Sequence, residues 1–84
     1  MKNKMTREQI EDIVKEVFAI QIGGWKDKIS NEANIRTDMG FDSLDIVEVM
    51  MEFENRFNIK IPDEALYNLY TINDVINYIE MRIK

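Results

Sequence analysis

Three separate stretches of this chain repeat apolar side chains every three to four residues, and strand signals are weak throughout. That periodicity confines the fold to packed helices. Ile10, Ile13, Val14, Val17 and Phe18 keep helical spacing without a miss. The helix they define opens at Thr6-Arg7-Glu8-Gln9, a pattern in which a hydroxyl and a side chain three residues later satisfy each other's backbone donors. Met5 and Ile10 are placed to clamp this start as a hydrophobic staple, and Gly23-Gly24 ends the segment. A second helix is expected from about Asp42-Ser43 to Phe57. Residues 58–62 are extended, because Pro62 disfavours helix at Ile61 before it. Asp63 to Leu69 is expected as a short helix with acids in its first turn. Thr71, with Asp74 three residues on, caps a last helix carrying Ile72, Val75, Ile76, Ile79 and Ile83. The expected fold is therefore all-α: a four-helix bundle with one short helix and a long loop between the first two helices. With 84 residues, a single domain over 1–84 is expected.

The loop, residues 25–41, shows no period, and a loop of that length is either functional or packed by its own apolar residues. Trp25, Ile29 and Ile35 are its expected anchors. On a wheel at about 100° per residue, the second helix divides into faces. Ile46, Val47, Val49, Met50, Phe53 and Phe57 share a broad apolar arc toward the core, with Asp45, Glu48 and Glu52 opposite. Leu44 and Met51 stand off that arc, one above the other beside Glu48. On periodicity alone they cover the rim of the core. Beside a row of carboxylates they also make a docking surface.

The net charge of −5 is concentrated in the middle of the chain. Residues 38–64 hold eight acidic and two basic side chains, net −6, against +1 for residues 1–37 and 0 for 65–84. Such a surface repels nucleic acid and suits a basic protein. The chain has no Cys and no His, so it lacks the common thiol nucleophile, imidazole base and soft metal ligands, and no enzyme is expected. Asp38, Asp42 and Asp45 lack the glycine and distal glutamate of a calcium loop, so no metal is expected either. No apolar run approaches the ~20 residues of a membrane span. The Met-Lys-Asn-Lys opening does not read as a signal peptide, and the expected location is the cytoplasm.

Asp38-Met39-Gly40-Phe41-Asp42-Ser43-Leu44-Asp45 resembles the signature of the acyl carrier proteins, in which the serine of Asp-Ser-Leu bears 4′-phosphopantetheine. The likeness continues through Val47-Glu48, Phe57-Asn58-Ile59-Lys60-Ile61-Pro62-Asp63-Glu64 and Thr71-Ile72. It implies that the chain carries acyl intermediates as thioesters on an arm taken from coenzyme A and attached at Ser43, in fatty-acid or a related lipid or polyketide biosynthesis. The implied partners are a phosphopantetheinyl transferase and acyl-processing enzymes with basic docking surfaces, meeting a monomer at Asp42, Leu44, Asp45, Glu48 and Met51. The chemistry of the position agrees, since a helix start exposes the hydroxyl and favours the anion formed there. Read without the resemblance, Ser43 is an ordinary helix cap beside Asp42. Two alternatives stand beside the acyl carrier: an aminoacyl or peptidyl carrier of a specialised pathway, and a non-carrier acidic helical interaction module. The chain departs from typical fatty-acid carriers at Asn55-Arg56 and at Ala65-Leu66-Tyr67-Asn68-Leu69-Tyr70, which is uncharged where they stay acidic. That departure makes a dedicated carrier an option beside general fatty-acid synthesis.

Overall fold

Each of the three α-helices begins where two side chains close a reciprocal cap. In the computed structural model, which describes residues 5–83, α1 spans Arg7–Ile22, α2 Ser43–Phe57 and α3 Ile72–Arg82. Residues 1–4, on which the reading of the opening as no leader rests, and residue 84 lie outside the described residues. The Thr6 hydroxyl accepts from the Gln9 N–H at 3.1 Å, while the Gln9 side chain accepts from the Thr6 N–H at 2.9 Å. Thr71 and Asp74 repeat the arrangement for α3. At its other end, α1 stops at Gly23, whose φ of 70° is left-handed and suits glycine. The short helix expected after Pro62 is present as a 3₁₀ helix, Asp63–Asn68, and a single 3₁₀ turn occupies Lys26–Lys28. No strand occurs among the described residues, only an isolated bridge between Asn34 and Thr71.

α1 is the central element and packs against both α2 and α3. Its Ile10, Val14 and Phe18 are fully buried, as are Phe53 of α2 and Ile72, Ile76 and Ile79 of α3. Burying each such side chain is worth roughly 1.5–3 kcal/mol relative to leaving it in water. The loop joins this core through Ile29, Ile35 and Phe41. Its backbone is tied to the entrance of α3: Ile35 N–H donates to the Tyr70 carbonyl at 2.8 Å, and Ile72 N–H to that of Ala33 at 3.2 Å. It also meets α1, where Lys15 and the Asn31 side chain hold the Glu11 carboxyl below its ordinary value.

Three sequence expectations need correction. Trp25 is not an anchor: it is 76% exposed, because Ile29, Ile35 and Phe41 fill the space under the loop and leave the indole outside. Val47 is not in the core: it is 39% exposed at the edge of the arc, where the Asp63–Asn68 helix leaves a gap. Ile83 is only partly buried, since α3 ends one residue before it.

The phase of α2 is set by Met50, which is buried, and its neighbour Met51, which is 58% exposed. Met50→Ala is expected to destabilise the domain by ~2–5 kcal/mol in denaturant melts. Met51→Ala should stay within about 0.5 kcal/mol of the parent, as for surface positions generally. The reverse order would mean that α2 is rotated.

Candidate functional site

The start of α2 is built by two acids. Asp42 is the capping residue, with φ −95° and ψ −175°, and its carboxylate accepts from the Asp45 N–H at 2.9 Å. The Asp45 carboxylate accepts in return from the Asp42 N–H at 3.2 Å. Ser43 is therefore the first helical residue and not the cap, which corrects the plainest reading of its role. It is exposed, and the capping bonds are made without its hydroxyl.

The segment leading to Ser43 is a compact turn. Asn34 Oδ1 accepts from the N–H groups of both Arg36 and Thr37 at 2.9 Å, and Asp38 Oδ2 accepts from the Asn34 N–H at 2.8 Å. Gly40 takes a left-handed φ of 76° and donates its N–H to the Arg36 carbonyl at 3.1 Å. Phe41 then turns inward against Phe18, ring centroids 5.5 Å apart. Asp42 and Ser43 are delivered to the surface between this anchor and the helix.

Along α2, Leu44 at 68% exposure, Glu48 and Met51 line one solvent-facing strip at i, i+4 and i+7, as expected. Its carboxylates are not equivalent. Glu48 accepts from the Gln21 side chain of α1 at 3.1 Å, and Glu52 is paired with Arg56 at 2.9 Å. The net acidity of the strip thus rests on Asp42, Asp45 and Glu48, since Glu52 brings its own cation.

On the other side of Ser43 lies a recess of about 340 Å³ between α2 and the 3₁₀ helix. Val47, Leu66 and Tyr67 give it apolar walls, Ile46 its floor, and Arg36 and Asp63 its charges. Two larger hollows, of about 530 and 620 Å³, lie under residues 28–39 and at the first turns of α1, and neither includes Ser43. Arg36 was not legible as a site residue. It stands seven residues before the serine, and only the Gly40 turn brings it alongside.

Comparison with known proteins agrees with this fold. Residues 8–79 match the family described as the phosphopantetheine attachment site. An acyl carrier protein of Chloroherpeton thalassium is 40% identical over 75 residues, 89% of this chain and 94% of the relative. The structure of an acyl carrier protein from Enterococcus faecalis aligns with TM-score 0.79 at 27% identity, over 93% of this chain and 99% of the other. A solution structure assigned as an acyl carrier protein of Anaplasma phagocytophilum aligns with TM-score 0.81 at 31% identity, covering 95% and 94%.

The cap lets charge be separated from hydrogen bonding at Asp42. Asp42→Ala removes the acceptor and is expected to cost ~0.5–2 kcal/mol in thermal or denaturant melts. Asp42→Asn keeps an acceptor and should stay close to the parent. Equal losses in both variants would show that charge, and not the cap, carries the stability.

Proposed function

The chain belongs to the acyl carrier proteins, the phosphopantetheine-attachment family, and on that premise we propose that Ser43 carries the arm and that its surroundings receive the enzymes. The protein is a carrier and not an enzyme. The observation that carries the assignment of Ser43 is the division of labour at the start of α2. Asp42 and Asp45 supply the cap, so the exposed Ser43 hydroxyl can be modified without costing the helix its first turn. The residues around it suit the group in its chemistry. Arg36 offers a cation for a phosphodiester, and Val47, Leu66 and Tyr67 offer apolar surface for a chain leading away from it. When bound, 4′-phosphopantetheine supplies the terminal thiol that this Cys-free chain lacks, and with it a thioester for the acyl group.

The docking face is Asp42, Leu44, Asp45, Glu48 and Met51. A carrier must visit several enzymes and leave each one, so a small apolar centre ringed by acids suits its task. Leu44 and Met51 supply the centre. The partners are a phosphopantetheinyl transferase and acyl-processing enzymes with basic surfaces, met by a monomer. No described helix is long and apolar enough to cross a membrane. The proposed setting is cytoplasmic fatty-acid or related lipid or polyketide synthesis. The exposed Tyr67 and Tyr70 of the uncharged 65–70 segment favour a dedicated partner set over a general one.

Two measurements test this reading. Incubated with coenzyme A and a transferase, the chain should gain one phosphopantetheine by intact mass, and Ser43→Ala should gain none while keeping its helical content. Modification that persists in Ser43→Ala would move the site elsewhere, Ser30 being the other serine. Glu48→Lys should raise the transferase KM by roughly 2–5-fold at low salt, the range of one exposed ion pair, and the effect should shrink as salt is added. An unchanged KM would remove Glu48 from the docking face.

A further inference from the structure

We infer that Arg36 is the residue that holds the phosphodiester at the root of the arm, a contact that rests on attachment at Ser43 and fixes how the arm leaves the surface. The need for such a contact follows from the charges around the serine. A phosphodiester on Ser43 adds an anion beside Asp42 and Asp45, with Asp63 on the far side of the same recess. A helix start ordinarily welcomes an anion through its unpaired N–H groups. Here the Asp42 carboxylate already occupies the Asp45 N–H, and the Asp45 carboxylate the Asp42 N–H. The capping that leaves Ser43 accessible also surrounds it with negative charge. Of the first-turn donors only the N–H groups of Ser43 and Leu44 stay without an acceptor, and a cation beside the recess would add to what they offer a phosphodiester.

Arg36 is the cation that shares the recess with Ser43. The ion pairs among the described residues employ Arg7, Lys15, Lys26 and Arg56, and Arg36 enters none of them. Its main chain, by contrast, is fixed. The N–H donates to Asn34 Oδ1 at 2.9 Å, and the carbonyl accepts from Gly40 at 3.1 Å. A held backbone with an uncommitted guanidinium lets a phosphate be met without reorganising the turn. The planar fork of arginine suits two phosphate oxygens at once, and lysine would offer only a point charge. Because the phosphate is tethered to the chain, its effective concentration at the recess is high, and a single exposed contact is enough to hold it. Asp63 is the competing partner. It faces the same recess, and a carboxylate there can engage Arg36 when no phosphate is present.

The test uses the full chain, before and after attachment, with intact mass confirming one arm at Ser43. If no arm attaches there, the carrier reading fails, and the inference about Arg36 falls with it. With the arm in place, the ¹⁵N resonance of the Arg36 Nε–H group should shift relative to the unmodified chain, and its exchange with water should slow several-fold. The ³¹P resonance of the phosphodiester should move in Arg36→Gln and return only part of the way in Arg36→Lys, whose point charge cannot reproduce the fork. Added salt should erase the difference between parent and Arg36→Gln. An Arg36 Nε–H signal identical in the two forms, with a ³¹P resonance indifferent to Arg36→Gln, would overturn the inference while leaving attachment at Ser43 intact.

Discussion

The contact between Phe41 and Phe18 is the constraint on which the site depends. Phe18 lies at the centre of an aromatic chain, 5.5 Å from Phe41 and 5.6 Å from Phe53, with Phe57 a further 6.2 Å along. It thereby joins α1, the end of the long loop and the middle of α2 in one buried cluster. Seventeen residues without regular period, 25–41, would otherwise give the start of α2 no fixed address. With Phe41 buried, Asp42 has one place to be and the reciprocal cap with Asp45 can form. The ladder from Ala33 and Ile35 to the entrance of α3 holds the other side of the loop. Ser43 is thus positioned by the hydrophobic core two residues before it, and not by contacts of its own.

What could be read from the sequence follows the reach of local rules. The three α-helices were legible because their apolar spacing and the Thr6-Gln9 and Thr71-Asp74 pairs are written within a few residues of each other. Leu44, Glu48 and Met51 were placed off the core side of α2 for the same reason, and they are exposed. The Asp42-Asp45 box was missed because two aspartates do not follow the usual hydroxyl-first pattern, although their geometry is equivalent. Val47 was misjudged because a wheel reports which way a residue points and says nothing of whether anything covers it, and Trp25 because apolar character in a loop without period says nothing of what packs there. The cover over Val47 depends on how closely a six-residue 3₁₀ helix approaches α2. Arg36 lay beyond any periodicity argument. Its neighbourhood with Ser43 depends on the left-handed φ of Gly40, a tertiary consequence of one backbone torsion.

The acidic middle of the chain turns out to be two populations with different duties. Asp42, Asp45 and Glu54 accept hydrogen bonds from backbone N–H groups, Glu54 from Ile61 at 2.8 Å where α2 hands over to the extended segment. These bonds fix the ends of the helix yet leave the charge in place, because a neutral donor cancels none of it. Glu52 differs, since Arg56 one turn away offsets it. Asp42, Asp45 and Glu48 thus cluster at the start of α2 with Arg36 as a nearby cation, while Glu54 keeps its charge at the far end. On the proposed docking face, the carboxylates that would draw a basic partner toward Ser43 are the same ones that hold that end of the helix together.

The position of Trp25 has a practical consequence for anyone who follows this protein by light. It is the chain's only tryptophan, and its indole stands outside the core in the native state. Unfolding barely changes its surroundings, so its emission is nearly blind to the collapse of the bundle that α1, α2 and α3 form. An enzyme settling against the α1 end of the loop would change those surroundings at once. The indole of this domain is therefore a reporter of company kept at that surface, and folding is better watched through far-ultraviolet dichroism.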